Sequence, residues 1–200
     1  IIFTSSGSES NNMVMKGVLR SGDHLITSSY EHPAILKVLP YLEGQGIEFS
    51  LVKPDQNGII QPEVVEHEIR DNTRLISIMY VNNELGTINP ISEIAYISHN
   101  KDILFHSDAV QALGKIPLDM SEIPADFISM SAHKLYGPKG TGALFIRKGV
   151  TLKPLIYGGG QEANLRASTE NIAGIGGFGM AVELAIMSLE ENSDHISHLE

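Results

Sequence analysis

The stretch Ser129-Met130-Ser131-Ala132-His133-Lys134-Leu135-Tyr136-Gly137-Pro138-Lys139-Gly140 concentrates the reactive groups of this chain. Lys134 lies just past an apolar, strand-like run and just before a stiff Gly/Pro loop, where an ammonium is partly desolvated. Desolvation lowers a lysine's pKa and favours the neutral amine that attacks aldehydes. An arbitrary loop lysine is usually just solvated, so Lys134 gains its significance from its neighbours. Ser131 and His133 are phosphate-binding types. Asp108, within His106-Ser107-Asp108-Ala109-Val110-Gln111, is an acid at the end of a second buried run. A carboxylate there is costly unless it meets a cation, and a protonated pyridine nitrogen would serve. In the plainer reading Asp108 caps a following helix. Ser5-Ser6-Gly7-Ser8-Glu9 adds a turn of small residues, with Ser6 and Glu9 spaced as a capping box. Such a turn leaves backbone N–H groups and the helix dipole open to an anion such as phosphate, or is simply a good N-cap.

Other chemistries are weaker. Ser107, His106 and Asp108 are adjacent in sequence, which does not make a hydrolase triad, because a triad is a geometry drawn from separate segments. Cysteine is absent from all 200 residues, so these residues hold no disulfide, thiolate metal site or cysteine nucleophile. Of the eight histidines, His195 and His198 have helical i, i+3 spacing, but no third ligand lies at a matching distance. No metal site is expected; that pair reads as solvated, and His24, His67 and His99 as surface or helix-end residues.

The elements that must position these groups alternate. Apolar, β-branched runs at residues 1–4, 24–28, 48–52, 75–81, 103–107, 127–130 and 142–147 predict seven strands. Residues 9–20, 33–43, 62–70 and 91–99 carry helical spacing between them. Alternation implies α/β architecture in three layers, with a mainly parallel seven-stranded sheet and helices on both faces. The segment 131–141 is too short for a crossover helix, which makes the last strand antiparallel. A Gly-interrupted apolar stretch from 168 to 191 predicts a long helix leaving the sheet. Ligands collect beyond the carboxyl ends of parallel strands. Gly7-Ser8, His32, Asn83, Asp108 and His133-Lys134 each follow such an end.

Composition is that of one soluble domain over residues 1–200, with 42% hydrophobic and 19% charged residues. A net charge of −10, without a clustered basic face, speaks against nucleic acid. No apolar run approaches a bilayer span, so no membrane partner is expected and a cytoplasmic location is. The absence of an initial Met and the apolar start at Ile1-Ile2-Phe3 predict a piece of a longer protein.

Together these strings resemble the cysteine desulfurases of the class V, fold type I aminotransferase group, over essentially the whole chain. The marks are Phe3-Thr4-Ser5 leading to Glu9-Ser10-Asn11-Asn12, Glu31-His32, Val81-Asn82-Asn83-Glu84-Leu85-Gly86 and His106-Ser107-Asp108-Ala109-Val110-Gln111. They continue in Ser131-Ala132-His133-Lys134, Gly137-Pro138-Lys139-Gly140, Gly158-Gly159-Gly160-Gln161-Glu162 and Ser168-Thr169-Glu170-Asn171. The resemblance implies the large, cofactor-binding domain of a pyridoxal 5'-phosphate enzyme, with the N-terminal arm and small domain outside these residues. It implies that Lys134 forms the Schiff base and that Asp108 keeps the ring nitrogen protonated. Gln111 and Asn83 would bond the ring's phenolic oxygen, His32 would stack on one face and assist proton transfer, and Val110 would cover the other. Gly7, Ser8, Ser131 and His133 would hold the phosphate, joined by Thr169 from a neighbouring subunit, which implies a homodimer. The implied reaction converts L-cysteine to alanine and passes the sulfur, as a persulfide, to acceptor or scaffold proteins serving iron–sulfur clusters or tRNA thiolation. Ser6-Gly7-Ser8 departs from the usual Gly-Ala-Thr. The persulfide-forming cysteine is missing from these residues, so they should bind cofactor without desulfurating. A related lyase or aminotransferase, or a non-catalytic scaffold, are the alternative readings.

Overall fold

The computed structural model describes residues 1–198 of the 200. Seven strands form one sheet: β1 (Ile2–Thr4), β2 (His24–Ser28), β3 (Glu48–Val52), β4 (Thr73–Ser77), β5 (Leu104–Asp108), β6 (Phe127–Ser131) and β7 (Gly142–Ile146), in the order β1-β7-β6-β5-β4-β2-β3. All neighbours pair in parallel except β7, which runs antiparallel to both β1 and β6. The expected architecture holds, including its single reversed strand.

Successive side chains of the strands alternate between two cores, one on each face of the sheet. Leu25, Leu75, Phe127 and Leu144 share one core with α1 (Gly7–Val18), α2 (Pro33–Leu36) and α3 (Leu39–Gly44). Ile26, Ile76, Phe105 and Ile128 face the opposite core with α4 (Pro62–His67) and α5 (Ile91–Asn100). Along β5, Leu104 packs with the first core and Phe105 with the second. Alternation therefore turns Asp108 toward the α1 side, where the site lies.

Three boundaries differ from the sequence reading. The helix expected over 33–43 is two short helices, because Pro40, near the start of α3, has no N–H for the carbonyl one turn back and its ring crowds that turn. The strand expected over 75–81 leaves the ladder after Ser77. Beyond it Ile78 and Tyr80 still donate to the His106 and Asp108 carbonyls, but the Met79 N–H turns to the Glu31 carboxylate at 2.9 Å. The long C-terminal helix is α6 (Ile172–Met187), bent by 60° into α7 (Leu189–Ser197). At the break Ser188 Oγ donates to the Leu184 carbonyl at 2.9 Å, a back-bond that bends helices.

One close approach fixes the start of α1 against the sheet. A Cβ at Gly142 would lie 2.6 Å from the Ser6 carbonyl carbon and 2.8 Å from Ser6 Cα, and backbone cannot step aside as a side chain can. Gly142→Ala is therefore expected to destabilise the chain by about 1–3 kcal/mol. A lower urea midpoint at unchanged slope checks it, and an unchanged midpoint refutes it.

Candidate functional site

The ends of β1, β2, β4, β5 and β6 converge on a cleft of about 370 Å³, within the roughly 300–1,000 Å³ range of small-molecule sites. Gly7, Ser8, His32, Asn83, Asp108, Val110, Gln111, Ser131, His133 and Lys134 all line it. Ten residues chosen from five separate segments thus share one cavity. Thr169 does not. It lines a smaller cavity of about 190 Å³ with Thr4, Ser5 and Arg166.

Asp108 is 5% exposed. One carboxylate oxygen accepts from Asn11 Nδ2 at 2.7 Å and the other from the Val110 N–H at 3.0 Å. The second bond is an Asx turn and not a helix cap, since no helix follows. Burial pushes the Asp108 carboxyl above the usual carboxylate range, against the pull of the Asn11 and Val110 donors and of His32. Among the described residues no cation pairs with it.

At the opposite group of residues, Ser131 Oγ and His133 Nδ1 are 2.8 Å apart. Ser6 caps α1, its hydroxyl accepting from the Glu9 N–H at 3.2 Å. The Gly7 and Ser8 N–H groups of that first turn bond nothing among the described residues and remain available to an anion. A Cβ at Gly7 would come 2.5 Å from Val110 Cγ2, so glycine alone keeps the turn this close to Val110.

Lys134 sits on a 3₁₀ turn, Ala132–Leu135, which Tyr136 closes from a left-handed conformation with φ 63°. Its side chain is exposed. The desolvation expected from the sequence is not supplied by this chain's own atoms, because the turn lifts Lys134 to the rim of the cleft. His32 caps α2, its Nδ1 accepting from the Ala34 N–H at 3.1 Å. That bond leaves the ring proton on Nε2. Gln111 Oε1 accepts from Lys115 Nζ at 2.6 Å, leaving Nε2 as its donor.

Sequence reasoning did not place Asn11, Ser6 or Met79 in the cleft, which they also line. Asn11 could have been found, since it lies four residues beyond Gly7 on the same helix face. His24 was misplaced. It is fully buried, bonded by its two ring nitrogens to Thr73 Oγ1 and Ser50 Oγ at 2.9 and 3.1 Å, because β2 lies between the strands that carry those hydroxyls. Desolvation lowers its pKa. His106 is likewise buried between Ser77 and Ser129, with burial pushing its pKa down to about 3. It is a neutral cross-strand link with no carboxylate attached, not part of a triad. His67 is exposed and ends α4, and His99 approaches Asp126 from the last turn of α5.

The chain matches the aminotransferase class-V family over residues 1–200 and belongs to it. It is 50% identical over 203 residues to the cysteine desulfurase IscS of Dictyoglomus turgidum, covering all of this chain and 52% of that protein. A NifS-like protein of known structure superposes with a TM-score of 0.94 at 42% identity, covering 98% of this chain and 56% of the other. SspA in complex with cysteine does so at 0.87 and 44% identity, covering 91% and 54%. The chain therefore spans about half the length of the relatives it matches.

Pyridoxal 5'-phosphate is the cofactor of this family, and the residues fit it. A buried carboxylate without a cation would meet the ring nitrogen, unbonded helix N–H groups with Ser131 and His133 would meet the phosphate, and among the described residues Lys134 is the only amine lining the cleft. Val110 and Met79 supply apolar walls.

Bonded to Met79 of the cleft lining is a second buried carboxyl. Glu31 is 3% exposed. Its Oε1 accepts from Ser28 Oγ at 2.6 Å and the Met79 N–H at 2.9 Å, while Oε2 has no partner. Burial raises its pKa from 4.5 to about 8. The folded chain keeps a proton that the unfolded chain has released, so this group lowers stability as pH rises from about 4.5 through about 8. Glu31→Gln mimics the protonated form and should remove that component. The variant's melting temperature should gain on the wild type progressively across that pH interval; a constant offset would show that Glu31 is ionised when folded.

Proposed function

We propose that the protein containing this chain is a pyridoxal-phosphate-dependent cysteine desulfurase, taking sulfur from L-cysteine and leaving L-alanine. The observation that carries the reading is the opening of Lys134, Asp108 and the anion-binding turn of α1 onto one cleft, in a chain half identical to a named cysteine desulfurase. When bound, the cofactor supplies a cationic conjugated ring that accepts the electron pair left by removal of a substrate's α-proton. Asp108 keeps the ring nitrogen protonated, since the buried carboxylate and that cation relieve each other's desolvation. Lys134 would hold the cofactor's aldehyde carbon until the substrate's amino group replaces it there, and would then be the free amine placed to take the α-proton. His32, with its hydrogen on Nε2, offers a donor to the same cleft. Gly7, Ser8, Ser131 and His133 retain the phosphate.

Because these residues contain no cysteine, the thiol that receives the sulfur belongs outside them, and a sulfur acceptor is the natural partner. Thr169 opens onto a cavity separate from the Lys134 cleft, which supports a homodimer in which it serves the partner's phosphate.

The test uses the longer protein that contains these residues together with its sulfur-accepting thiol. Wild-type protein with L-cysteine should release alanine and persulfide sulfur in equal amounts, and borohydride should fix the cofactor to the Lys134 peptide. Lys134→Ala should abolish fixation and cut turnover by at least about a hundredfold. Faster turnover of other amino acids than of cysteine, or fixation elsewhere, would overturn the proposal.

A further inference from the structure

The turn of α1 that offers its N–H groups to an anion also carries a carboxylate. Glu9 follows Ser8 directly, and its side chain is only 9% exposed. Its Oε2 accepts from the Ser5 N–H at 2.7 Å and from the Ser5 hydroxyl. A negative side chain at a helix N-terminus is favourable in isolation, but it occupies the same positive end that a phosphate dianion needs. Like charges within one turn repel.

Arg166 resolves this conflict. Its Nε donates to Glu9 Oε1 at 2.8 Å and its Nη2 to Oε2 at 3.4 Å, although 157 residues separate the two. Burial on its own would raise the Glu9 pKa, but the bonds from Arg166 and Ser5 outweigh it and hold the carboxyl below its ordinary value. The Glu9 bond in turn raises the guanidinium's pKa. Both groups thus carry charge at neutral pH.

The backbone that delivers Arg166 is unusual. Glu162, Ala163 and Asn164 take φ values of 47°, 56° and 65°, three consecutive residues in the left-handed region without a glycine among them. Such conformations persist only where the surroundings over-determine them. Here Glu162 Oε2 accepts from the Phe3 N–H of β1 at 2.9 Å, and Arg166 grips α1. The loop is anchored at both ends to the strand and helix that form the phosphate turn.

We propose that Arg166 is a positioning residue for the cofactor phosphate: by neutralising Glu9 and holding its carboxylate on the Ser5 side, it leaves the first turn of α1 net attractive to a dianion. This rests on the placement of the phosphate at that turn given above. Arg166 itself lines the neighbouring cavity and not the cleft, so it acts through Glu9 and not by touching the phosphate.

Equilibrium dialysis of the full chain against pyridoxal 5'-phosphate and against pyridoxal, which shares the ring and aldehyde but lacks the phosphate, separates charge from architecture. Arg166→Gln should weaken phosphate-ester binding by about tenfold while leaving pyridoxal nearly unchanged, with a deficit that shrinks as salt rises. Arg166→Lys should retain most of the preference. Adding Glu9→Gln to Arg166→Gln should restore it, because the uncompensated charge is then gone. Equal loss of both ligands, or no rescue by Glu9→Gln, overturns the proposal. An unchanged preference in Arg166→Gln beside a lowered one in Ser131→Ala overturns it while sparing the phosphate site. An unchanged preference in both removes the site as well.

Discussion

A carboxylate buried at the carboxyl end of a central strand, without a cation of its own chain, constrains everything around Asp108. Its desolvation is offset only in part by two neutral donors, Asn11 Nδ2 and the Val110 N–H. To bring Asn11 within 2.7 Å, α1 must lie flat across β5, β6 and β7. That placement in turn points the helix's N-terminal turn into the cleft. One helix thus carries both Asn11, which braces the Asp108 carboxylate, and the first turn, whose residues open onto the cleft.

The rest of the fold serves that placement. Gly142 admits the backbone of Ser6, so β7 and the start of α1 close together. The reversed β7 follows β6 through a short loop, and that loop begins with the turn carrying Lys134. On the far side, the Met79 N–H leaves the sheet ladder for Glu31, which opens the β4 end toward the cleft. The two buried histidines, His24 and His106, tie neighbouring strands through hydroxyls alone. With burial lowering both pKa values, they add hydrogen bonds to the sheet interior without adding charge.

Local signals were legible wherever the physics is local. The capping turn at Ser6, the strand periods and the short link between the last two strands each depend on residues close in sequence. What eluded the sequence depended on neighbours distant along the chain. His24 looked like a surface residue because nothing in the sequence reveals that β2 is inserted between β3 and β4. Lys134 was expected to be desolvated, yet the turn closed by Tyr136 leaves it exposed. The break at Pro40 was written in the sequence and overlooked, since helical spacing on either side of it masked the missing N–H.

By itself, then, the order of residues determined the class of fold, the identity of the reactive groups and the strand ends on which they ride, because strand period and turn chemistry act over a few residues. It also determined that no thiol is available within these 200 residues. Only the tertiary structure decided which groups meet: Asn11 with Asp108, Arg166 with Glu9 across 157 residues, and Thr169 in a different cavity from Lys134. Such pairings follow from strand order and from the direction in which each element presents its side chains, and neither is encoded in any short stretch of chain.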